Sequence, residues 1–379
     1  YLNWKTDYTN QLGTSTKLEM GLKATRRTTT NDFDASYLDP SSGLYVSDPV
    51  RRTAFDYHED IGAGYLLVSN KVGKWQSQEG LRLEDAATYF DLTTMDQQYD
   101  RRYASAYPSA IVSYNFTPLR SARISYSRRV SRPNPYQLSP IEFHQDTRNV
   151  FRGNPALRAE YTDAIEFAYQ ESRSWGTVQL NPYLRSTAHA VRNIQFVDSS
   201  GVSVSTYDNV ASTLSVGTDL NVNAHKGPLQ LGGGGSVFHY SSDASNLSGN
   251  LSAHAMVWSA RTNATWKFSQ KTDAQVFAFY RGPYATEGGS QLASVSMNLA
   301  GRYKVWGDKG NISLRISDPF KLQKFGYRTA NGSVVEFSQR FFGSRAVFLT
   351  ISRNFGQALK LQPKQQDPDS QVQTGPPPA

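Results

Sequence analysis

The stretch FRGNPALRAEYTDAIEFAY, residues 151–169, decides the fold, because a turn sequence passes directly into a segment with two unlike faces. A period of two predicts a β-strand with one apolar and one polar side. The apolar side carries Tyr161, Ile165, Phe167 and Tyr169, and the polar side carries Thr162, Ala164, Glu166, Ala168 and Gln170. Asp163 falls on the apolar side near the start of the strand, so we expect it at the loop end, where a charge is tolerated.

The same alternation recurs along the chain and predicts about 15 strands. Short turns alternate with longer polar connections, which lie at 27–54, 93–102, 132–158, 197–203, 241–249, 285–291 and 319–333. Short turns at one end and long loops at the other are typical of an outer-membrane barrel. Soluble β-sandwiches also have many short strands, but they rarely sustain such long up-and-down hairpins. The predicted fold is all-β, an antiparallel up-and-down transmembrane β-barrel.

Composition agrees with amphipathic strands. The 379 residues are 38% hydrophobic but 12% aromatic, a combination that does not indicate disorder. There is no run of 18 apolar residues to form a membrane-spanning helix, and a β-barrel needs none. The absence of cysteine excludes disulfides and thiolate metal sites. The net charge of +8 is spread along the chain without a recognisable module, so it does not indicate nucleic acid binding.

Two tryptophans on one predicted face support a membrane interpretation. Trp258 and Trp266 are eight residues apart, which places them roughly 19 Å apart along the membrane normal for a strand tilted by about 45°. That is near the height between two aromatic girdles. The alternative is that both rings fill a soluble core, and the repeated hairpins favour lipid.

Residues for covalent or metal chemistry do not stand out, so we predict no enzyme activity, no cofactor and no metal. The histidines lack metal-ligand spacing and are His58, His144, His189, His225, His239 and His254. Gly232–Gly235 lacks the Lys-Ser/Thr and the helix of a phosphate-binding loop. We expect these glycines to permit a bend, or close packing against the inner face of a barrel.

The segment from Ser127 to Tyr169 resembles the barrel of TonB-dependent outer-membrane receptors, in the Bacteroidetes-like β-barrel group. In that family a strand ends in Ser-Arg and continues through an Arg-Pro stretch, and a loop then carries a Gly-Asn-Pro-x-Leu element before a strand that begins near Glu-Tyr. The matching residues are Ser131, Arg132, Pro133, Gly153, Asn154, Pro155, Leu157, Glu160 and Tyr161. NISLRISDPF (311–320) and AVFLTISRNFG (346–356) resemble the family's closing strands, with Phe355 as the terminal aromatic. Arg353 departs from the pattern, because the family usually has an aromatic there.

The resemblance implies energy-coupled uptake of a large scarce solute, such as a siderophore, cobalamin, an oligosaccharide or a peptide. The implied location is the outer membrane of a Gram-negative bacterium. The implied partners are membrane lipid and lipopolysaccharide, the receptor's own plug domain, the TonB energy-coupling complex and an extracellular ligand. Because such barrels have 22 strands, we expect the plug and roughly the first seven strands to be missing here. We expect a partial barrel over 1–356 and a disordered Gln/Pro-rich tail over 357–379.

Two groups of residues are candidates for function. Charged side chains on the polar faces would face a lumen or plug: Glu19, Arg82, Glu84, Arg123, Glu166, Asp219, Arg302 and Arg315. Rings and donors in the predicted outer loops would bind ligand: Tyr37, Tyr45, Tyr136, Phe143, His144, Arg148 and Arg152. The alternatives are ordinary solvation of a pore for the first group and packing between loops for the second.

Two other functions stay open from the sequence. A passive pore or structural barrel would need no plug. A barrel-embedded hydrolase would need a histidine with carboxylate or serine partners at the rim.

Overall fold

The computed structural model describes residues 1–48, 53–93, 96–144, 146–247, 251–287, 289–307, 309–331, 334–341 and 345–355. The predicted tail at 357–379 lies outside these residues. No helix in the described ranges is long and apolar enough to cross a membrane.

The described chain is almost entirely β-structure, with one short helix. In chain order the elements are Leu2–Leu12 (β1), Thr16–Phe33 (β2), Ser36–Leu38 (β3), Tyr45–Ser47 (β4), Thr53–Val72 (β5), Trp75–Leu92 (β6), Gln97–Thr117 (β7), Arg120–Ser131 (β8), Pro135–Leu138 (α1), Phe143–His144 (β9), Asn149–Phe151 (β10), Glu160–Arg173 (β11), Gly176–Ala188 (β12), Val191–Val197 (β13), Ser203–Asn209 (β14), Ser212–Lys226 (β15), Leu229–Asp243 (β16), Ala253–Lys267 (β17), Thr272–Arg281 (β18), Tyr284–Thr286 (β19), Gly289–Gln291 (β20), Ser294–Val305 (β21), Gly310–Ser317 (β22), Lys324–Asn331 (β23), Val334–Phe341 (β24) and Ala346–Arg353 (β25).

Within the described residues, fifteen strands form one sheet, the barrel wall, in the order β1-β2-β5-β6-β7-β8-β11-β12-β15-β16-β17-β18-β21-β22-β25. Each wall strand pairs antiparallel with the next wall strand along the chain, for example β5 with β6 and β15 with β16. Successive turns are tight at one end, as at Gly73 and Gly227, whose positive φ suits glycine. The predicted all-β, up-and-down architecture is therefore confirmed. The prediction of about 15 strands agrees with the number of strands in the wall.

The other ten strands that the described ranges contain lie at the other end, in the connections. They form three small sheets: the ribbon β3–β4 (residues 36–47), the sheet β13-β14-β10-β9 and the sheet β19-β20-β23-β24. We name the last two loop sheet A and loop sheet B. The asymmetry predicted from the turns is thus present, and the long connections are themselves structured.

The two faces of the wall differ as the alternation predicts. Leu81, Leu83, Ile165 and Phe167 lie on the outer face and are exposed, as expected for side chains that contact lipid. Arg82 and Glu84, which alternate with the first two, are buried on the inner face. Trp258 and Trp266 both lie on the outer face and are each 46% exposed. A soluble core would have buried them.

Asp163 lies on the outer face near the loop end, as expected. The Tyr126 hydroxyl donates a hydrogen bond to Asp163 Oδ1 at 2.7 Å, and Arg128 approaches the same carboxylate at 3.9 Å. Nearby outer-face ion pairs, such as Arg102 with Asp85, are largely exposed. The apolar, lipid-facing band of the outer face therefore ends before these charges, on the side of the short turns.

The predicted connection at 197–203 is wrong as a link between wall strands, because it is only the tip of a longer hairpin. The chain leaves the wall after β12, kinks at His189, whose φ is 55°, and continues outward as β13; it then returns through β14 to the wall strand β15. The sequence of β13 alternates like that of a wall strand, so the pattern alone did not show where the wall ends.

Candidate functional site at the mouth of the barrel

The connection between β8 and β11, residues 132–159, folds inward over the inner face of the wall. We call it the docked loop. Leu138, Ile141 and Leu157 from this loop pack in one buried cluster with Phe55, Tyr57, Phe90 and Leu92 of β5 and β6. Burying these side chains stabilises the loop through the hydrophobic effect. The mouth of the barrel therefore contains an apolar core on this side.

An ion-pair network fixes the start of the docked loop. Arg132 pairs with Glu84 on the inner face and donates from Nε to the Tyr103 hydroxyl at 2.7 Å. Arg82 Nε donates to the other Glu84 oxygen at 2.6 Å, and the side chains of Arg82 and Glu84 are 3% and 4% exposed. A buried carboxylate with two guanidinium partners satisfies its charge, and this geometry gives Arg132 of the Arg-Pro motif a physical role.

The Gly-Asn-Pro turn fixes the other end of the docked loop. A Cβ on Gly153 would lie 2.5 Å from the carbonyl oxygens of Gln137 and Ser139, so only glycine fits. The Gly153 N–H donates to Ser139 O, and the Asn154 N–H donates to Gln137 O, both at 2.7 Å. Arg101 of β7 donates to the carbonyl oxygens of Ala156 and Leu157.

Loop sheet A joins the docked loop to the next long hairpin. Strand β10 pairs parallel with β14 and antiparallel with β9. The Asn154 side-chain amide donates to Tyr207 O at 3.0 Å, which adds a contact outside the ladder. Two long connections therefore form one structured surface beside the mouth.

The candidate ligand residues divide into two groups. Tyr136 stacks on Phe151 with ring centroids 5.0 Å apart and also meets Phe143 at 6.1 Å. His144 and Arg152 both approach Glu142, at 3.7 and 3.2 Å. These four candidates are thus brought together, largely by packing within the docked loop.

The remaining candidates lie apart from that group. Tyr37 and Tyr45 belong to the ribbon and are 50% and 76% exposed. Arg148 is exposed, and its backbone oxygen accepts from the Ser203 N–H at 2.7 Å. These two rings and one guanidinium are accessible to a ligand, as is the Tyr136 ring of the first group, which is 53% exposed.

A second cluster ties loop sheet A to the wall and to the β19–β20 turn. The Tyr240 hydroxyl of β16 donates to Glu287 at 2.6 Å, and Arg192 Nε lies 3.5 Å from the same carboxylate. Arg192 also donates to Tyr240 at 3.2 Å and approaches Glu160 at 3.8 Å. Beside this cluster is a cavity of about 430 Å³ between the two loop sheets.

The predicted lumen-facing residues all fall on the inner face by strand register. They form separate local contacts: Glu19 with Lys17, Arg82 with Glu84, Glu166 with Arg185, Arg302 with Asp273, and Arg315 over the Phe348 ring. Arg123 and Asp219 lie opposite Ser113 and Asn181, also on the inner face. The inner face is polar and charged with both signs, and a role in contacting a plug stays a prediction.

The glycine run lies inside β16 and is paired on both sides. A Cβ on Gly234 would lie 2.9 Å from the side-chain oxygen of Asn221, which also accepts from Arg261 at 3.1 Å. The missing side chains therefore give room to inner-face polar groups of the neighbouring strands. The predicted bend or plug contact is not tested by this geometry.

Titratable groups outside the wall include one with a strongly shifted pKa. In the ribbon, hydrogen bonds from Ser41 and Ser42 lower the pKa of Asp39 to about 2. Among the described residues, no three histidine, aspartate or glutamate side chains gather as a metal site. Sequence reasoning missed Arg101, Arg192 and Glu287 as organising residues, because nothing in the alternation distinguishes them from solvated charges.

Comparison with solved structures gives the same fold. The ferric-catecholate import receptor Fiu from E. coli K12 matches with a TM-score of 0.62 at 14% identity, over 92% of this chain and 53% of that one. The copper transporter OprC matches with 0.63 at 13% identity, over 89% and 55%. The FrpB iron transporter from Neisseria meningitidis matches with 0.61 at 12% identity, over 92% and 55%.

The chain thus spans about half the length of these solved proteins. No curated protein matches its sequence. The model of the outer membrane protein β-barrel family matches residues 1–352. The chain therefore belongs to the outer membrane protein β-barrel family, has the barrel fold of TonB-dependent receptors, and resides in the outer membrane of a Gram-negative bacterium.

Proposed function

We propose that this chain supplies the barrel and the ligand-capturing loops of a TonB-dependent receptor that imports a large scarce solute. The observation that carries the proposal is the mouth: a docked loop packs over the inner face on one side, and a cavity lies between the two loop sheets on the other. A site that captures a scarce ligand needs such preorganised loops, because ordering them on binding would reduce affinity. The names of Fiu, OprC and FrpB, which describe import or transport, support the class.

The proposal includes partners. A plug domain would occupy the barrel, the TonB complex would supply the force for its rearrangement, and the outer face would contact lipid and lipopolysaccharide. Accessible side chains at the mouth, Tyr37, Tyr45 and Arg148, would make the first contact with the solute. A siderophore, cobalamin, an oligosaccharide or a peptide each fits this general scheme.

A passive pore is the second candidate, and the charged inner face favours it. Ion pairs such as Arg302 with Asp273 would suit a hydrated channel as well as a plug contact. No feature of the described residues favours a hydrolase.

The test compares two deletion strains of the native organism, one lacking this protein and one lacking its TonB-type energy protein. Mass spectrometry would follow which solutes disappear from the growth medium. A receptor predicts that the same solutes remain unconsumed in both strains. A passive pore predicts that solutes remain only in the strain without the barrel, and this result would refute energy coupling.

A further inference from the structure

Strand β13 is an edge strand of loop sheet A, and its backbone groups alternate between its partner β14 and the open edge. The orientation follows from β14: the Ser203 N–H donates to Arg148 O at 2.7 Å, and Ser205 O accepts from the Arg152 N–H at 3.0 Å. These residues therefore direct their backbone groups toward β10. Their neighbours in β14 direct theirs toward β13, as the antiparallel ladder requires.

The register then fixes which residues of β13 face outward. Val197 lies opposite Ser203, and Asn193 lies opposite Tyr207. Both pairs are non-hydrogen-bonded pairs of the antiparallel ladder, because Ser203 and Tyr207 direct their backbone groups toward the β10 side. The N–H and C=O of Asn193 and Val197 therefore point away from β14. The Asp198 N–H, one position further, donates to Val202 O at 2.9 Å, which agrees with this alternation.

Val191 shows how the first outward-facing position is satisfied within the protein. Its N–H donates to the Glu160 carboxylate, and its carbonyl oxygen accepts from Arg192 Nη1 at 2.9 Å. Among the described residues, none provides such a contact to the outward backbone groups of Asn193. An edge with unpaired groups is a template for an added strand.

The cavity of about 430 Å³ lies along this edge. Four consecutive residues line it, Arg192, Asn193, Ile194 and Gln195. Successive side chains of a strand point to opposite faces, so a cavity lined by consecutive residues runs along the edge and not over one face. At ~3.3 Å per residue, this stretch matches an extended chain of about four residues.

The opposite side of the cavity belongs to loop sheet B and offers further polar groups. The side-chain oxygen of Gln291 is buried and accepts no hydrogen bond from the described residues. An unsatisfied buried acceptor is costly, so a ligand N–H there would be favourable. Glu287 is engaged by Arg192 and Tyr240, whereas Arg328 forms no ion pair with a described residue. The cavity therefore favours a neutral or acidic ligand.

We propose that the cavity between the loop sheets binds a short extended peptide, which adds to β13 as a fifth strand of loop sheet A. Backbone hydrogen bonds to Asn193 would hold the peptide, and Gln291 would accept from one of its amides. Arg328 would interact with an acidic side chain or terminal carboxylate. This assignment rests on the proposed receptor function and names a peptide as its substrate class.

The test uses the native protein purified from outer membranes in detergent, with a pool of fluorescein-labelled acidic tetrapeptides as probe. Fluorescence anisotropy would measure binding to the unaltered protein, to Asn193→Pro and to Asn193→Ala. Proline removes an N–H that the β14 ladder does not use, so an edge position tolerates it. Alanine removes the side chain and keeps the N–H. We expect binding to weaken by about tenfold or more in Asn193→Pro and by less than about twofold in Asn193→Ala.

A second measurement does not depend on the folding of a variant. The same tetrapeptides with alternate N-methylated amides should bind the unaltered protein about tenfold more weakly, because they lack donors on one edge. Equal losses in both Asn193 variants would overturn the proposal, since they would indicate side-chain recognition. The proposal would also be overturned if none of the tetrapeptides in the pool bound to the unaltered protein. The deletion-strain experiment distinguishes this failure from failure of the receptor function. If no tetrapeptide binds but both strains leave the same non-peptide solutes unconsumed, the receptor function would stand without the peptide assignment.

Discussion

The docked loop and the ribbon are both long connections at the same end of the wall, yet most of their apolar side chains have different environments. In the docked loop, the side chains of Leu157 and Phe151 are 2% and 8% exposed and lie in packed clusters, whereas the Tyr136 ring that stacks on Phe151 is 53% exposed. In the ribbon, Tyr45 is 76% exposed. The difference teaches that composition alone does not separate rings that support a mouth from rings that are free to contact a ligand.

Anchoring explains the difference. The docked loop is held by charges on the wall, through Arg132 with Glu84 and Arg101 with loop carbonyls, and by a glycine that admits close backbone approach. The ribbon is held by its own two-stranded ladder and by the local hydrogen bonds of Asp39. We therefore expect changes to the docked loop to affect stability and changes to the ribbon to affect it little.

The largest effect is expected from Glu84→Gln. It leaves Arg82 and Arg132 buried without their carboxylate, which should cost about 3–5 kcal/mol and lower the thermal unfolding midpoint in detergent. Asp85→Asn is the matched control, because this adjacent residue pairs with Arg102 on the exposed outer face, where solvent screens the pair, and the change should barely move the midpoint. Equal shifts for both variants would mean that the Glu84 network does not anchor the loop.

Leu157→Ala should come next, at roughly 3 kcal/mol, because the truncated side chain leaves a cavity in the buried cluster. The loss is local, so the measurement is limited proteolysis at 132–159 in the intact barrel. Tyr45→Ala in the ribbon should change stability by less than about 0.5 kcal/mol. Unchanged protease resistance in Leu157→Ala would show that the cluster does not hold the loop.

Gly153→Ala should destabilise the docked loop by roughly 1–3 kcal/mol, because the added methyl meets two carbonyl oxygens. Gly43 of the ribbon has φ of 66° with open space around it, so Gly43→Asn, a residue that tolerates this conformation, should have a smaller effect. Hydrogen exchange of the amides at 137–139 and 153–154 would measure the first loss. Exchange that is the same in both variants would contradict the contact argument.

The smallest effect is the pH response of the ribbon. The pKa of Asp39 is lowered to about 2 by hydrogen bonds from Ser41 and Ser42. The folded pKa lies below the unfolded one, so the stabilisation is present above the unfolded value and is lost as pH falls through about 2. Nuclear magnetic resonance titration of the Asp39 carboxylate would check this. A midpoint near the ordinary aspartate value would contradict it.

The barrel wall was predictable from sequence because lipid and polar groups impose a strict period of two, as in Ile165 and Glu166. The site was less predictable. Arg132 and Gly153 belong to the motif that resembles the family, but the motif alone does not predict their contacts. Arg132 pairs with Glu84, and Gly153 lies against the carbonyl oxygens of two other loop residues. Strand β13 has the same alternation as the wall, and only the kink at His189 separates them. Tertiary contacts, and not local pattern, decide these features.

The parallel pair β10–β14 has a consequence for how the chain folds. Wall neighbours are joined by local hairpins, whereas Asn149 meets Ser203 only after β11, β12 and β13 have been placed between them. Pairing between distant segments forms late, because closing the intervening loop costs entropy. Loop sheet A should therefore gain protection after its neighbouring wall hairpin during barrel insertion, which pulsed proteolysis can follow. The mouth would then be completed only in chains whose wall is already assembled.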